Sequence, residues 1–158
     1  MPIEILPLTS SDQPLIWEVL YQAIYVPKGA ESPSKVILEE SDIVHYAENW
    51  GRDGELGYKA LIAGVAIGAA WLRLVQGYGF VEEDIPELTI AVLPDYRGRG
   101  IGTALLTKLI DTAAQSYRAI SLSVVGENPA MVLYRRMGFE IVRPDGASYT
   151  MLLRLKND

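Results

Sequence analysis

The chain has 158 residues, 49% apolar and 22% charged, with a net charge of −6 and no cysteine. That length suits one domain, taken as residues 1–158, with a full core, and the composition excludes a disordered or fibrous chain. The lack of cysteine excludes disulfides, thiolate metal sites and a cysteine nucleophile.

The charge is uneven. Residues 1–86 carry thirteen acids and five bases, and residues 87–158 carry seven acids and nine bases. A basic half suits an anionic cofactor, and an acidic half would attract a cationic acceptor such as an amine. The alternative is a solvated acidic surface. An acidic balance disfavours nucleic acid as a partner. The N-terminus lacks a basic n-region and a long apolar run, and the apolar stretch 60–72 contains two glycines and is too short to span a bilayer. A cytoplasmic protein with no membrane partner is expected.

In chain order, Ile3 and Ile5 suggest a short strand ending at Pro7. Thr9, Ser10, Ser11 and Asp12 offer helix N-caps. Leu15, Ile16, Val19, Leu20, Ala23 and Ile24 then recur at helical spacing, up to a Pro/Gly/Ser loop over 27–34. A second, weaker helix is expected over 36–50 and a turn at 51–54. Residues 58–62 and 65–75 read as a hairpin about Ala63 and Gly64, followed by a loop over 76–86. Leu88, Ile90 and Val92 alternate with Glu87, Thr89 and Ala91, which is strand periodicity, and Pro94 ends the ladder. Gly98, Gly100 and Gly102 follow, and Ile101, Leu105, Leu109 and Ala113 carry a helix to about Ser116. Ile120, Leu122 and Val124 mark another strand. Asn128 and Pro129 open a last helix, with Ala130, Leu133, Tyr134 and Met137 on one face and Gly138 as its stop. Residues 139–142 and 148–155 are the closing strands. This order predicts α/β layers around a mixed sheet.

The stretch 87–103 thus reads as strand, glycine loop and helix start. A helix N-terminus has unpaired N–H groups and a positive dipole end, and glycines let a phosphate approach them. Arg97 and Arg99 add charge, so the stretch reads as a pyrophosphate cradle. It is not the dinucleotide fingerprint, whose third glycine would fall at Thr103 or Leu105. Nor is it a Walker A loop, since Lys108 lies inside the helix.

Arg97-x-x-Gly100-x-Gly102, after a strand and a proline, resembles the acyl-CoA-binding signature of the GNAT acetyltransferase superfamily. A second block, from Asn128 through Leu133, Tyr134, Gly138 and Phe139, is similar to that family's N-x-x-A-x-x-L-Y-x-x-x-G-F segment, shifted in where the small residue falls. The resemblance covers about residues 58–155. Residues 50–57 and 78–81 resemble an uncharacterised bacterial branch of the family.

The resemblance implies an α/β (α+β) fold. Its central sheet would be mixed and mostly antiparallel, with six to seven strands and about four helices, splayed between the strands around 88–93 and 119–125. It implies acetyl-CoA as acyl donor and acetyl transfer to a primary amine by direct attack in a ternary complex. Backbone at Ile90, Ala91 and Val92 would pair with pantetheine as a substitute strand. Amides of Arg97, Gly98, Arg99, Gly100, Ile101, Gly102 and Thr103 would hold the pyrophosphate, and Asn128 would touch the cofactor arm. No covalent nucleophile is needed, only a base for the amine proton and an acid for the departing thiolate. Tyr134 matches the family's acid. Glu87 stands where many relatives place a carboxylate acting through water as base. The amine acceptor, a small molecule or a peptide, is left open, and the resemblance allows a homodimer.

Each residue also has a plainer reading. The glycines could be only a turn, Tyr134 a core aromatic, Glu87 a solvated carboxylate and Asn128 an N-cap. His45, the only histidine, reads as a partly exposed helix residue. Tyr21, Tyr25, Trp50 and Trp71 are either acceptor-pocket or core aromatics. No residues have metal-ligand spacing. Two other functions fit the loop, a non-catalytic acyl-CoA sensor and a module that holds ATP or NAD.

Overall fold

A computed structural model describes residues 2–155; Met1 and residues 156–158, the two ends of the expected 1–158 unit, lie outside the described residues. The strands are β1 (Ile3–Pro7), β2 (Leu56–Ile62), β3 (Val65–Arg73), β4 (Glu87–Val92), β5 (Ala119–Val125), β6 (Glu140–Asp145) and β7 (Ser148–Arg154). They form one sheet in the order β1-β2-β3-β4-β5-β7-β6. Every neighbouring pair is antiparallel except β4 with β5. The α-helices among the described residues are α1 (Gln13–Ala23), α2 (Ser41–Val44), α3 (Ile101–Ala113) and α4 (Ala130–Arg136). The expected mixed, mostly antiparallel architecture is present.

Strand β3 is buried over most of its length because helices cover both of its faces. Side chains alternate across a strand. Ala70 and Leu72 meet Leu105, Leu106 and Leu109 of α3, while Ala69 and Trp71 meet Ile16, Val19 and Leu20 of α1. Trp50 packs edge-on to Trp71 at 6.1 Å. Trp50 and Trp71 therefore belong to the core under α1 and not to an acceptor pocket.

The helix expected over 36–50 is not continuous. Residues Lys35–Glu39 form a 3-10 turn, and Glu40 then takes extended backbone (ψ 138) before the four residues of α2. Side chains of β3 claim the carbonyls that a longer helix would use for itself. Arg73 Nη1 donates to the carbonyls of His45 (3.1 Å) and Glu48 (2.6 Å), and Trp71 Nε1 donates to that of Tyr46 (2.8 Å). The carbonyls at 45, 46 and 48 are thus held by β3, while residues 37–48 are otherwise bonded in short local turns.

Arg73 also pairs with Glu55, both side chains being almost wholly buried. Glu55 Oε1 accepts from Arg73 Nη2 (3.1 Å) and from the backbone N–H groups of Gly51 (3.0 Å) and Arg52 (2.9 Å). Removing one partner strands a buried charge. Glu55→Ala is expected to cost about 3–5 kcal/mol, read as a lower urea midpoint at unchanged slope. Lys35→Ala, which removes the exposed pair with Glu18, should cost less than about 1 kcal/mol.

Strands β4 and β5 share a single ladder pair, Glu87 with Ser121. The Ser121 N–H donates to the Pro86 carbonyl at 3.0 Å. Each strand is held along its other edge, β4 by β3 and β5 by β7, through the full register. From that vertex the two strands diverge, and the expected splay is present. Glu87 sits at the point of the wedge.

Candidate active site

The loop before α3 is braced from behind. Arg97 Nε donates to the Val92 carbonyl at 2.9 Å. Gly98 (φ 78) and Gly100 (φ 79) take left-handed backbone, which a side chain would strain. A Cβ at either position would meet no protein atom within 4 Å, so the space beside the loop is open. Helix α3 starts at Ile101 with no side-chain cap, leaving its first N–H groups unpartnered by a capping side chain.

Beside this loop lies a cleft of about 840 Å³. Arg97, Gly98, Gly100, Ile101, Gly102 and Thr103 line it, as do Ile90, Ala91, Val92, Asn128 and Tyr134. Arg99 does not. It donates to the Asp95 carbonyl (3.2 Å) and lies over the Tyr96 ring, 5.2 Å from its centre. Arg136 of α4 does line the cleft, which sequence reasoning missed, and no carboxylate does.

Helix α4 opens with the Asn128 side chain accepting from the Ala130 N–H at 2.9 Å, so Asn128 is an N-cap as well as a cleft residue. It ends at Gly138 (φ 106), where the Phe139 N–H returns to the Tyr134 carbonyl at 3.0 Å. Between these stops Tyr134 is held 8% exposed, its ring 5.9 Å from that of Phe139. Burial alone pushes its phenol up to about 12.

Glu87 is 1% exposed, which overturns the solvated alternative. Its Oε1 accepts from the Tyr46 hydroxyl (2.8 Å) and the Gly79 N–H (2.9 Å), and its Oε2 from the Gly77 N–H (2.7 Å). A carboxylate has about four acceptor positions, so roughly one remains. Tyr46 in turn accepts from the Tyr78 N–H at 2.8 Å. Burial, then the Glu87 charge, push the Tyr46 phenol up and keep it a donor.

The two glycines are what allow this clamp. A Cβ at Gly77 would stand 2.0 Å from the Tyr46 hydroxyl, and one at Gly79 would stand 2.6 Å from the Leu122 carbonyl carbon. Gly79→Ala should push the loop off β5 and withdraw one N–H from Glu87. We expect a loss of about 1–3 kcal/mol in a denaturant titration. Sequence reasoning missed Tyr46, Gly77 and Gly79. The only signal was the Gly-x-Gly spacing just upstream of Glu87.

A second cavity, of about 480 Å³, fills the wedge. Glu87, Tyr46, Tyr78, Tyr25, Ser123 and Asp145 are among its walls. It shares Ile90, Asn128 and Tyr134 with the first cleft. Tyr25 lines both cavities and Tyr21 lines the first, so two of the four candidate aromatics reach the site. His45 lines neither, and its ring sits edge-on to Tyr46 at 4.6 Å. The first cleft has Arg97 and Arg136 in its walls, and the second has Glu87 and Asp145 with no lysine or arginine. Both carboxylates come from the more basic half of the chain, so the signs of the halves do not map onto the cavities.

Among the described residues no three His, Asp or Glu side chains are grouped to hold a metal ion. No helix there is long and apolar enough to cross a membrane.

The model of the acetyltransferase (GNAT) family matches residues 17–139. An uncharacterised N-acetyltransferase of Methanocaldococcus jannaschii is 40% identical over 79 residues, covering 48% of this chain and 33% of that protein. An N-alpha-acetyltransferase of Sulfurisphaera tokodaii is 33% identical over 96 residues, covering 54% of this chain and 57% of that protein. The matches thus span between a third and just over half of these relatives' own lengths. In fold, the chain is similar to yncA of Salmonella typhimurium, solved with its cofactor acetyl-CoA, at a TM-score of 0.73 and 18% identity over 100% and 96% of the two chains. The family match takes in the loop before α3, the wedge at Glu87 and the helix that carries Tyr134, and the chain belongs to the acetyltransferase (GNAT) family.

Proposed function

We propose that the chain transfers an acetyl group from acetyl-CoA to a primary amine, with donor and acceptor bound together. The observation that carries this reading is a basic cleft and an acidic cavity that meet at Tyr134. The basic cleft fits the donor because its glycine loop is bare, its helix start is uncapped and its walls hold two arginines.

Acetyl-CoA supplies an activated acyl group as a thioester. Gly98, Gly100, Ile101, Gly102 and Thr103 would hold its pyrophosphate, with charge from Arg97 and Arg136. Arg99, turned away, would contribute only its field. Ile90, Ala91 and the Asn128 amide would hold the pantetheine arm. The Val92 carbonyl, which accepts one bond from Arg97, keeps a second lone pair for the arm. Tyr134 keeps its proton and gives it to the leaving sulfur. Glu87 takes the amine proton through a water molecule, using its remaining acceptor position.

Gly100→Val tests the donor site. A β-branched residue is strained at φ 79, and its side chain would enter the open cleft. Calorimetry should show acetyl-CoA binding weakened by about tenfold or more, equivalent to roughly 1.4 kcal/mol. Unchanged affinity would remove the loop from the donor site.

A further inference from the structure

A single amine needs one anionic partner, and Glu87 at the vertex beside Tyr134 provides it. The acceptor cavity holds more than that. Asp145, exposed at the end of β6, and Ser148 of β7 also line it. Asp145 has no ion-pair partner among the described residues. No lysine or arginine lines the cavity to neutralise it.

Four tyrosines line the same cavity. Tyr46 and Tyr78 are near-parallel, with ring centres 6.5 Å apart, and Tyr25 and Tyr134 complete the set. Aromatic faces favour a cation over an anion. Burial first, then the charges of Asp42 and Glu40, push the Tyr78 phenol up. Two carboxylates, four tyrosines and no lysine or arginine line this one cavity, a lining that suits a doubly positive molecule.

We propose that the acceptor is a small dication, one amine being acetylated beside Glu87 and Tyr134 while the second positive charge is held by Asp145. This rests on the acetyltransferase reading above and names the acceptor class for that same cavity.

The test compares α,ω-diamines of three to five carbons with n-alkylamines of the same length, at fixed acetyl-CoA and low salt. Asp145 is exposed, so the best diamine should exceed its matched monoamine about two- to fivefold in kcat/KM, mainly through KM, the range of an exposed ion pair. Asp145→Asn should bring that ratio to near one. Asp145→Glu should retain most of it, and Asp111→Asn, on the exposed side of α3, should leave it intact. Raising the salt to about 0.5 M should shrink the ratio in the wild type, because screening weakens such a pair. Transfer to monoamines and diamines at equal efficiency, or a diamine advantage untouched by Asp145→Asn, would overturn the dication and leave the acetyltransferase standing. Transfer to no amine in the series, with acetyl-CoA bound, would overturn the dication, and the same silence toward peptide amines would overturn the acetyltransferase as well.

Discussion

Tyr134→Phe should lower kcat by about 10²- to 10³-fold, the range for loss of a positioned general acid, while the KM for acetyl-CoA changes little. The phenol is held near 12 by burial, so it carries its proton throughout any neutral assay. The pH–rate profile of the variant should therefore keep the shape of the wild type and be scaled down. The fold should tolerate the change, because burial alone sets this phenol and no hydrogen-bond partner contributes to its shift. A linked effect on stability has a definite sign. A phenol in the unfolded chain ionises near 10, as ordinary tyrosine does. Between about pH 10 and pH 12 the unfolded chain loses this proton and the folded chain keeps it, so stability falls as pH rises through that window. Tyr134→Phe should lose less stability there than the wild type. An unchanged kcat in the variant would remove Tyr134 from the acid role.

Glu87→Gln should be the second large change. We expect kcat/KM for the amine to fall about 10²-fold, the lower end for loss of a general base, with acetyl-CoA affinity retained. The substitution also disturbs the clamp. Both carboxylate oxygens accept from fixed donors, so an amide must turn its NH₂ toward the Gly77 N–H, or toward Tyr46 and the Gly79 N–H. One buried donor then loses its acceptor, at about 1–3 kcal/mol in a denaturant titration. The two effects separate through Gly79→Ala, which loosens the loop and keeps the carboxylate. If Gly79→Ala lowers turnover as far as Glu87→Gln does, Glu87 serves only to hold the loop.

Much of the fold was legible because local pattern and tertiary position agree. The alternation of Leu88, Ile90 and Val92, the helical spacing from Ile101 to Ala113 and the stops at Pro94 and Gly138 all reappear as β4, α3 and the end of α4. The cleft proposed for the donor was legible for the same reason, since its loop is continuous in sequence. Even there one residue escaped. Arg97 and Arg99 look equivalent, and only the hydrogen bonds to Val92 and Asp95 send one into the cleft and the other away from it. The second cavity was hidden because it is assembled from separate segments. Tyr46 meets Glu87 across 41 residues, on a segment whose carbonyls at 45, 46 and 48 are held by Arg73 and Trp71 of β3. The Asp145 wall comes from the last hairpin, which closes beside β5 only once β7 is paired. Spacing in a chain does not encode such meetings.

The central claim is that the two cavities form one reaction site, and the most direct measurement is amine-dependent release of the CoA thiol. Purified chain, acetyl-CoA and the amine series are mixed, and free thiol and acetylated amine are followed together. Thiol and acetylated amine should appear in equal amounts, at a rate that rises with amine concentration and collapses in Tyr134→Phe. Tight acetyl-CoA binding with no thiol released above the amine-free background would contradict it and leave a chain that binds the donor without using it.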